Sequence, residues 1–227
     1  MTRSHLKTAR LDAGWTQHQA AVRLGVSQPY YSQLENGSRP MPSGLARRAA
    51  RQLPLSPVAL PLPQLALQLA PIDPDELTAA LARLGYAGFA HLRKAGKRRN
   101  PAELVARALA HADLDVRLVE ALPWLLATFQ ELDWAWLVAQ CRLVNLQNRL
   151  GFMAVLAGQT MKPGAAGRAL RDLPSRLEPS RLAGEATLCR DSMSQAERNW
   201  VRQHRAPDAA HWNLLTTLTV AQLTHAA

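Results

Sequence analysis

The chain has 227 residues, 48% of them hydrophobic, with 27 Lys/Arg against 17 Asp/Glu and a formal net charge of +10. That length holds one small domain and a remainder large enough for a core of its own. Cys141 and Cys189 stand far apart with no partner ligands at metal spacing, so they read as reduced, buried thiols rather than a disulfide or zinc framework.

The opening Thr2-Arg3-Ser4-His5 is polar and lacks an apolar h-region, so no cleavable signal peptide is expected. Thr16 is placed to cap a short helix whose apolar stripe is Ala20, Ala21 and Leu24. Gly25 suits a turn that needs positive φ, and Val26 can bury beneath it. Ser27 is placed to cap a second helix, with Tyr31 and Leu34 inward and Gln28, Tyr30, Ser32 and Gln33 outward. Gly37 closes that helix. Two short helices around a tight turn have the sequence form of a helix-turn-helix, whose second helix lies in the DNA major groove. Charge agrees: residues 1–53 carry eight Lys/Arg against two Asp/Glu, net +6, the footprint of a phosphate-backbone binder.

Residues 6–53 resemble the DNA-binding domain of the phage Cro and C1 repressors, the xenobiotic-response-element family of regulators. Thr16-Gln17, Ala21, Gly25-Val26-Ser27, Ser32, Glu35 and Gly37 match that family's pattern. Leu6-Lys7-Thr8-Ala9-Arg10 matches its first helix and Leu45 to Leu53 its closing helices. Ala20 replaces a commoner, larger Leu, and Pro29 sits early in the recognition helix, where the first turn tolerates it. The resemblance implies a five-helix domain. It places Gln17 and Gln28 as polar contacts near the groove, with Gln28 suited to a bidentate pair with adenine and Tyr30 to a thymine methyl. Ser32, Asn36 and Arg39 are placed to touch phosphates, with Lys7 and Arg3 as outer contacts. Ser27 and Tyr31 complete the expected DNA-binding set. Glu35 reads as structural, because a carboxylate facing phosphates is repelled.

No charge occurs from Gln52 through Ile72. Pro54, Pro57, Pro61, Pro63 and Pro71 argue against a membrane span, since a spanning helix must satisfy its own backbone. Residues 54–72 read instead as an apolar linker, in which Leu62, Leu65, Ala66 and Leu69 form one short docking helix. From Asp73 the pattern is helical, and residues 73–227 read as an interaction or oligomerisation domain. Pro74 opens a helix with Leu77, Leu81 and Leu84, ending near Gly85. Asn100-Pro101-Ala102-Glu103 and Ser194-Gln195-Ala196-Glu197 have capping-box form. A helix from Asp115 to Leu122 breaks or restarts at Pro123. Asp133 opens a long helix toward Leu156, and Asp208 opens a final one carrying Trp212, Leu215 and Leu218. No strand of convincing alternation occurs, so the fold class is all-α, with an irregular helical second domain.

Asn100-Pro101-Ala102-Glu103-Leu104-Val105, Glu120 to Leu126, Asn145 to Phe152 and Ala210 to Leu215 are similar to bacterial regulators encoded beside nucleotidyltransferase-like toxin genes. That similarity implies a toxin-binding second domain and an antitoxin-type autorepressor. Catalysis has little to rest on. There is no G-x-S-x-G elbow, the Gly164–Gly167 turn lacks a phosphate-loop Lys, and His91, His111, His204 and His211 form no constellation. Trp124, Trp134, Trp136, Trp200 and Trp212 sit among aliphatics and read as core. Lys94, Lys97, Arg98 and Arg99 form a basic run, usually a solvated loop but also a source of further phosphate contacts. Asn36-Gly37-Ser38 is discounted as a glycosylation site. The expectation is a cytoplasmic, nucleoid-associated, non-enzymatic regulator without metal or cofactor, partnered by operator duplex, by a second copy of itself and by a cognate toxin, and by no membrane. A ligand-sensing repressor unrelated to a toxin is the alternative, and an enzyme with a DNA-targeting domain the distant one.

Overall fold

A computed structural model of the chain describes residues 3–92, 98–161 and 167–223. The protein is all-α and falls into two compact units, one ending at Pro63 and including Arg98–Asn100, the other built from the remaining residues.

The first unit contains α1 (Arg3–Asp12), α2 (Gln17–Leu24), α3 (Gln28–Glu35), α4 (Ser43–Gln52) and a 3-10 turn at Pro57–Ala59. The fifth helical element is therefore a single turn, started by Pro57 and bounded upstream by Pro54. Leu6, Ala21, Leu24, Tyr31, Leu34 and Ala49 form the centre of its core. Leu55, Ala59 and Leu60 of the charge-free stretch are buried in that same core, so the unit runs past Leu53. Backbone carbonyls of this extension are matched by Asn100, whose Nδ2 donates to Val58 O at 3.0 Å and Leu60 O at 2.8 Å. The Arg98 guanidinium donates to Leu55 O. Lys94 and Lys97 of the same basic run lie outside the described residues, as does Gly164.

The second unit contains α5 (Pro74–Leu84), α6 (Pro101–Leu109), α7 (Val116–Thr128), α8 (Trp134–Leu143), α9 (Gln147–Thr160), α10 (Arg168–Arg171), α11 (Leu173–Leu177), α12 (Gln195–His204) and α13 (Pro207–His211). A parallel pair of two-residue strands, β1 (Ala186–Thr187) and β2 (Leu214–Leu215), joins Ala186 to Leu214 and Thr187 to Leu215. Helix α9 is the centre, with α7, α8, α10, α11 and α13 packed on it. Its apolar residues Leu150, Phe152, Met153 and Leu156 are buried. Its first turn is polar and holds three other segments. Gln147 Nε2 donates to Ser180 O, Asn148 pairs with both the N–H and C=O of Leu182, and Arg149 donates to Leu109 O, His111 O and Thr187 O. The donors of this turn are all matched, whereas the buried Gln147 Oε1 has no hydrogen-bond partner among the described residues.

Several expected elements differ. Helix α7 runs through Pro123 instead of breaking there. An internal proline costs about 3 kcal/mol, which burial of Leu118, Leu122, Leu125 and Leu126 on both sides of it offsets. The long helix expected from Asp133 toward Leu156 is two, α8 and α9, divided at Asn145, whose φ of 58° is left-handed and tolerated by Asn. The last helix stops at His211. Beyond it Asn213 takes a φ of 52°, and Leu214–Leu215 become strand. No docking helix forms at Leu62, Leu65, Ala66 and Leu69, where prolines leave the backbone irregular and Leu65 and Leu67 exposed. Instead Ala66 donates its N–H to Gln140 Oε1 at 2.9 Å and accepts from Gln140 Nε2 at 2.8 Å. Trp200 is 56% exposed and stacks on His204, so it is not core. Among the described residues no helix is long and apolar enough to cross a membrane.

Candidate nucleic-acid interface

The α2–turn–α3 segment is set by local chemistry. Thr16 and Gln19 form a reciprocal capping box, with Gln19 N donating to Thr16 Oγ1 and Thr16 N to Gln19 Oε1. Gly25 ends α2 with φ 65° and ψ 41°, a conformation costly for residues with a Cβ. From α4, Arg48 Nη1 donates to Leu24 O at 2.6 Å and so satisfies an orphan carbonyl at the turn. Ser27 caps α3 by accepting from Tyr30 N, and Pro29 falls in the first turn, where no intrahelical N–H is lost. Asn36 is the C-cap, and Gly37 follows it at φ 76°.

Helical period then turns Tyr31, Leu34 and Glu35 inward and leaves Gln28 and Gln33 exposed. Tyr31 is fully buried and is removed from the set of DNA-contacting residues. Its phenol is pushed up to about 12 by burial and by the Glu35 charge, which keeps it neutral. Tyr30 and Ser32 are half-buried rather than fully outward; Tyr30 packs against the core and carries the Arg39 guanidinium 5.7 Å from its ring centre. Ser32 Oγ accepts from Asn36 Nδ2 at 3.3 Å.

A chain of hydrogen bonds crosses from the interior to this surface. Arg10 Nε donates to Glu35 Oε1 at 2.8 Å, and these side chains are only 11% and 1% exposed. Gln17 Nε2 donates to Glu35 Oε2 at 2.5 Å, and Gln28 Nε2 donates to Gln17 Oε1 at 3.0 Å. An ionised carboxylate only accepts, so Glu35 forces the Gln17 amide to present its oxygen outward. That oxygen in turn takes one Gln28 N–H. Gln28 is left with one N–H and its own carbonyl free for a neighbour, the donor and acceptor pair that matches N7 and N6 of adenine. Glu35 is structural, as its charge implies, and its partners are now identified.

The expected backbone contacts are distributed around α3. Lys7 and Arg39 are exposed, as are Ser27 and Asn36, while the Arg3 side chain lies outside the described residues. Two cations absent from the expected set have defined places: Arg23 lies over the Trp15 ring at 4.1 Å, and Arg48 holds the turn. Arg10 was legible only in part. It follows the buried Leu6 and Ala9 stripe, where a charge needs a buried opposite, and Glu35 and Asp12 are the only acids in residues 1–53.

No curated protein and no solved structure matches the chain. Residues 3–61 match the family model of a helix-turn-helix domain, which extends beyond Leu53 just as the buried Leu55, Ala59 and Leu60 do. The N-terminal unit thus carries a helix-turn-helix domain, and that domain supports DNA binding and transcription regulation.

Proposed function

We propose that the protein reads one operator sequence through α3, acting as a homodimeric, non-enzymatic repressor in the cytoplasm. The observation that carries this reading is the Glu35–Gln17–Gln28 chain, which orients one amide on an exposed helix face. Gln28 and Tyr30 specify sequence, while Ser27, Ser32, Asn36, Arg39 and Lys7 contact phosphates and set register. Gln17 braces Gln28. One helix-turn-helix reads only a few base pairs, so two copies on half-sites about one helical turn apart supply the affinity. The antitoxin reading places a toxin on the second unit. It rests on the similarity of residues 100–105, 120–126, 145–152 and 210–215 to toxin-linked regulators, and autorepression follows from it. Charge supports the division of labour: residues 73–227 carry nineteen Lys/Arg against fifteen Asp/Glu, a far thinner excess than residues 1–53.

Footprinting on the protein's own promoter, with and without the adjacent gene product, tests the whole scheme. Gln28→Ala is expected to cost about 1–3 kcal/mol and relax preference at one base position. Lys7→Ala weakens all sequences alike and flattens the salt dependence by about one unit. Unchanged sequence preference in Gln28→Ala, or a monomer by light scattering that holds a single half-site tightly, refutes the reading.

A further inference from the structure

The second unit has an open cleft of about 810 Å³, within the size range of small-molecule sites. Its lining includes the apolar Val116, Val119, Leu188, Met193, Val201 and Leu215, with Thr216, Thr217 and Gln222 among the polar residues. Val116 is 62% exposed and stands within reach of a ligand in the cleft. Three carboxylates, Asp113, Asp115 and Glu120, line the same cleft, against one cation, Arg190. Arg190 pairs with Glu197 at 3.2 Å as well as lying near Asp113, so the carboxylates outnumber the cation in the cleft. Hydrogen bonds from the Ser192 hydroxyl and N–H hold the Asp113 carboxyl below the ordinary range, which keeps it ionised. The N-terminus of α7 also opens here, but its partial charge is only about +0.5, and Asp115 caps it through Arg117 N. The cleft therefore combines buried apolar side chains with an excess of carboxylates, on a chain whose net charge is +10.

We propose that this cleft is a binding site for small organic cations with bulky apolar bodies, the cation set near Asp113 and Glu120 and the apolar body on Val116, Val119 and Leu215. This site is distinct from the DNA-reading surface, and its failure leaves the reading of DNA untouched. Tetraphenylphosphonium and tetraphenylborate have the same shape and opposite charge, so they separate the two contributions. Isothermal titration of the full-length protein without DNA is expected to show the phosphonium bound at least about tenfold more tightly than the borate. Glu120→Gln should weaken the phosphonium about fivefold, the effect of removing one charge at a few ångströms in a solvated site. Val116→Lys, at an exposed position, places a cation in the cleft and should abolish phosphonium binding while leaving the thermal melt in place. Equal affinities, or the borate preferred as the overall positive charge of the chain favours, overturn the proposal. Phosphonium binding that is indifferent to both substitutions overturns it too, because the ligand then sits elsewhere.

Discussion

Replacing Gly151 by Ala sets two effects of opposite sign against each other inside α9. Intrinsic helix propensity favours alanine by about 1 kcal/mol. The indole of Trp212, however, lies directly on the helix backbone at this position. A Cβ on Gly151 would stand 2.4 Å from Trp212 Cη2, 2.5 Å from Cζ3 and 2.6 Å from Cζ2, whereas ordinary contact begins at 3.4 Å. The ring must therefore retreat by about 1 Å, and it is fully buried with little room to do so. Overpacking of this kind costs about 1–3 kcal/mol, and expelling the ring altogether about 3–5 kcal/mol. Packing wins, with a net loss of about 2 kcal/mol, or roughly 4–8 °C in a unit of this size. The internal control is Gly158 of the same helix, where an added Cβ meets nothing within 4 Å. Gly158→Ala is expected to stabilise by up to ~1 kcal/mol. Urea unfolding followed by circular dichroism measures both variants against the wild type. If Gly151→Ala raises the midpoint as Gly158→Ala does, the contact between Trp212 and the helix backbone is not what holds α9.

Three further outcomes follow from the geometry. Gly25→Ala forces a Cβ into a left-handed backbone and to 2.9 Å from Arg48 Nη1; a loss of about 1–2 kcal/mol is expected, and less for Gly25→Asn, by thermal melting. Glu35→Ala leaves Arg10 buried without its carboxylate and should cost about 3 kcal/mol, while Arg10→Met added to it recovers most of that loss; a double variant no more stable than Glu35→Ala would show that the pair is not coupled. Hydrogen bonds from Arg202, with the nearby charges of Arg202 and Arg205, hold the Glu185 carboxyl below its ordinary value of 4.5. A carboxyl lowered by folding stabilises the fold above its unfolded value, and that contribution disappears as pH falls through the folded value. The midpoint temperature should thus drop as pH is lowered below about 4.5, and Glu185→Gln should flatten that drop.

What the sequence discloses is chiefly what neighbouring residues decide among themselves. Thr16, Ser27, Asp73 and Ser194 cap the helices they precede, and Gly25 and Gly85 end helices in the left-handed region, all within a few residues of chain. Period put Tyr31 and Leu34 beneath α3, and the repulsion between a carboxylate and phosphates put Glu35 there. The failures arise where distant packing overrules a local preference. Pro123 is carried through α7 by its buried neighbours, and Asn145 turns the chain because Gln147, Asn148 and Arg149 must reach loops more than thirty residues away. Trp200 shows the converse: apolar spacing identifies a side chain that can be buried, but not whether anything covers it. On the exposed face of α3 the motif gives residue types alone, whereas the run of hydrogen bonds from Gln28 to Gln17 to Glu35 requires the geometry.

The bond pair between Gln140 and Ala66 has a consequence for how the proline-rich stretch comes loose. In a parallel pair of strands, a residue's N–H and C=O are held by different residues of the adjacent strand and can part in turn. Here a single side-chain amide holds both, so one rotamer change of Gln140 releases them together. The attachment behaves as a latch with two positions rather than a zipper that frays. Isotope exchange at the lone amide of Ala66 would therefore follow the swing of one glutamine, in a stretch whose prolines at 61, 63 and 71 carry no exchangeable amide at all.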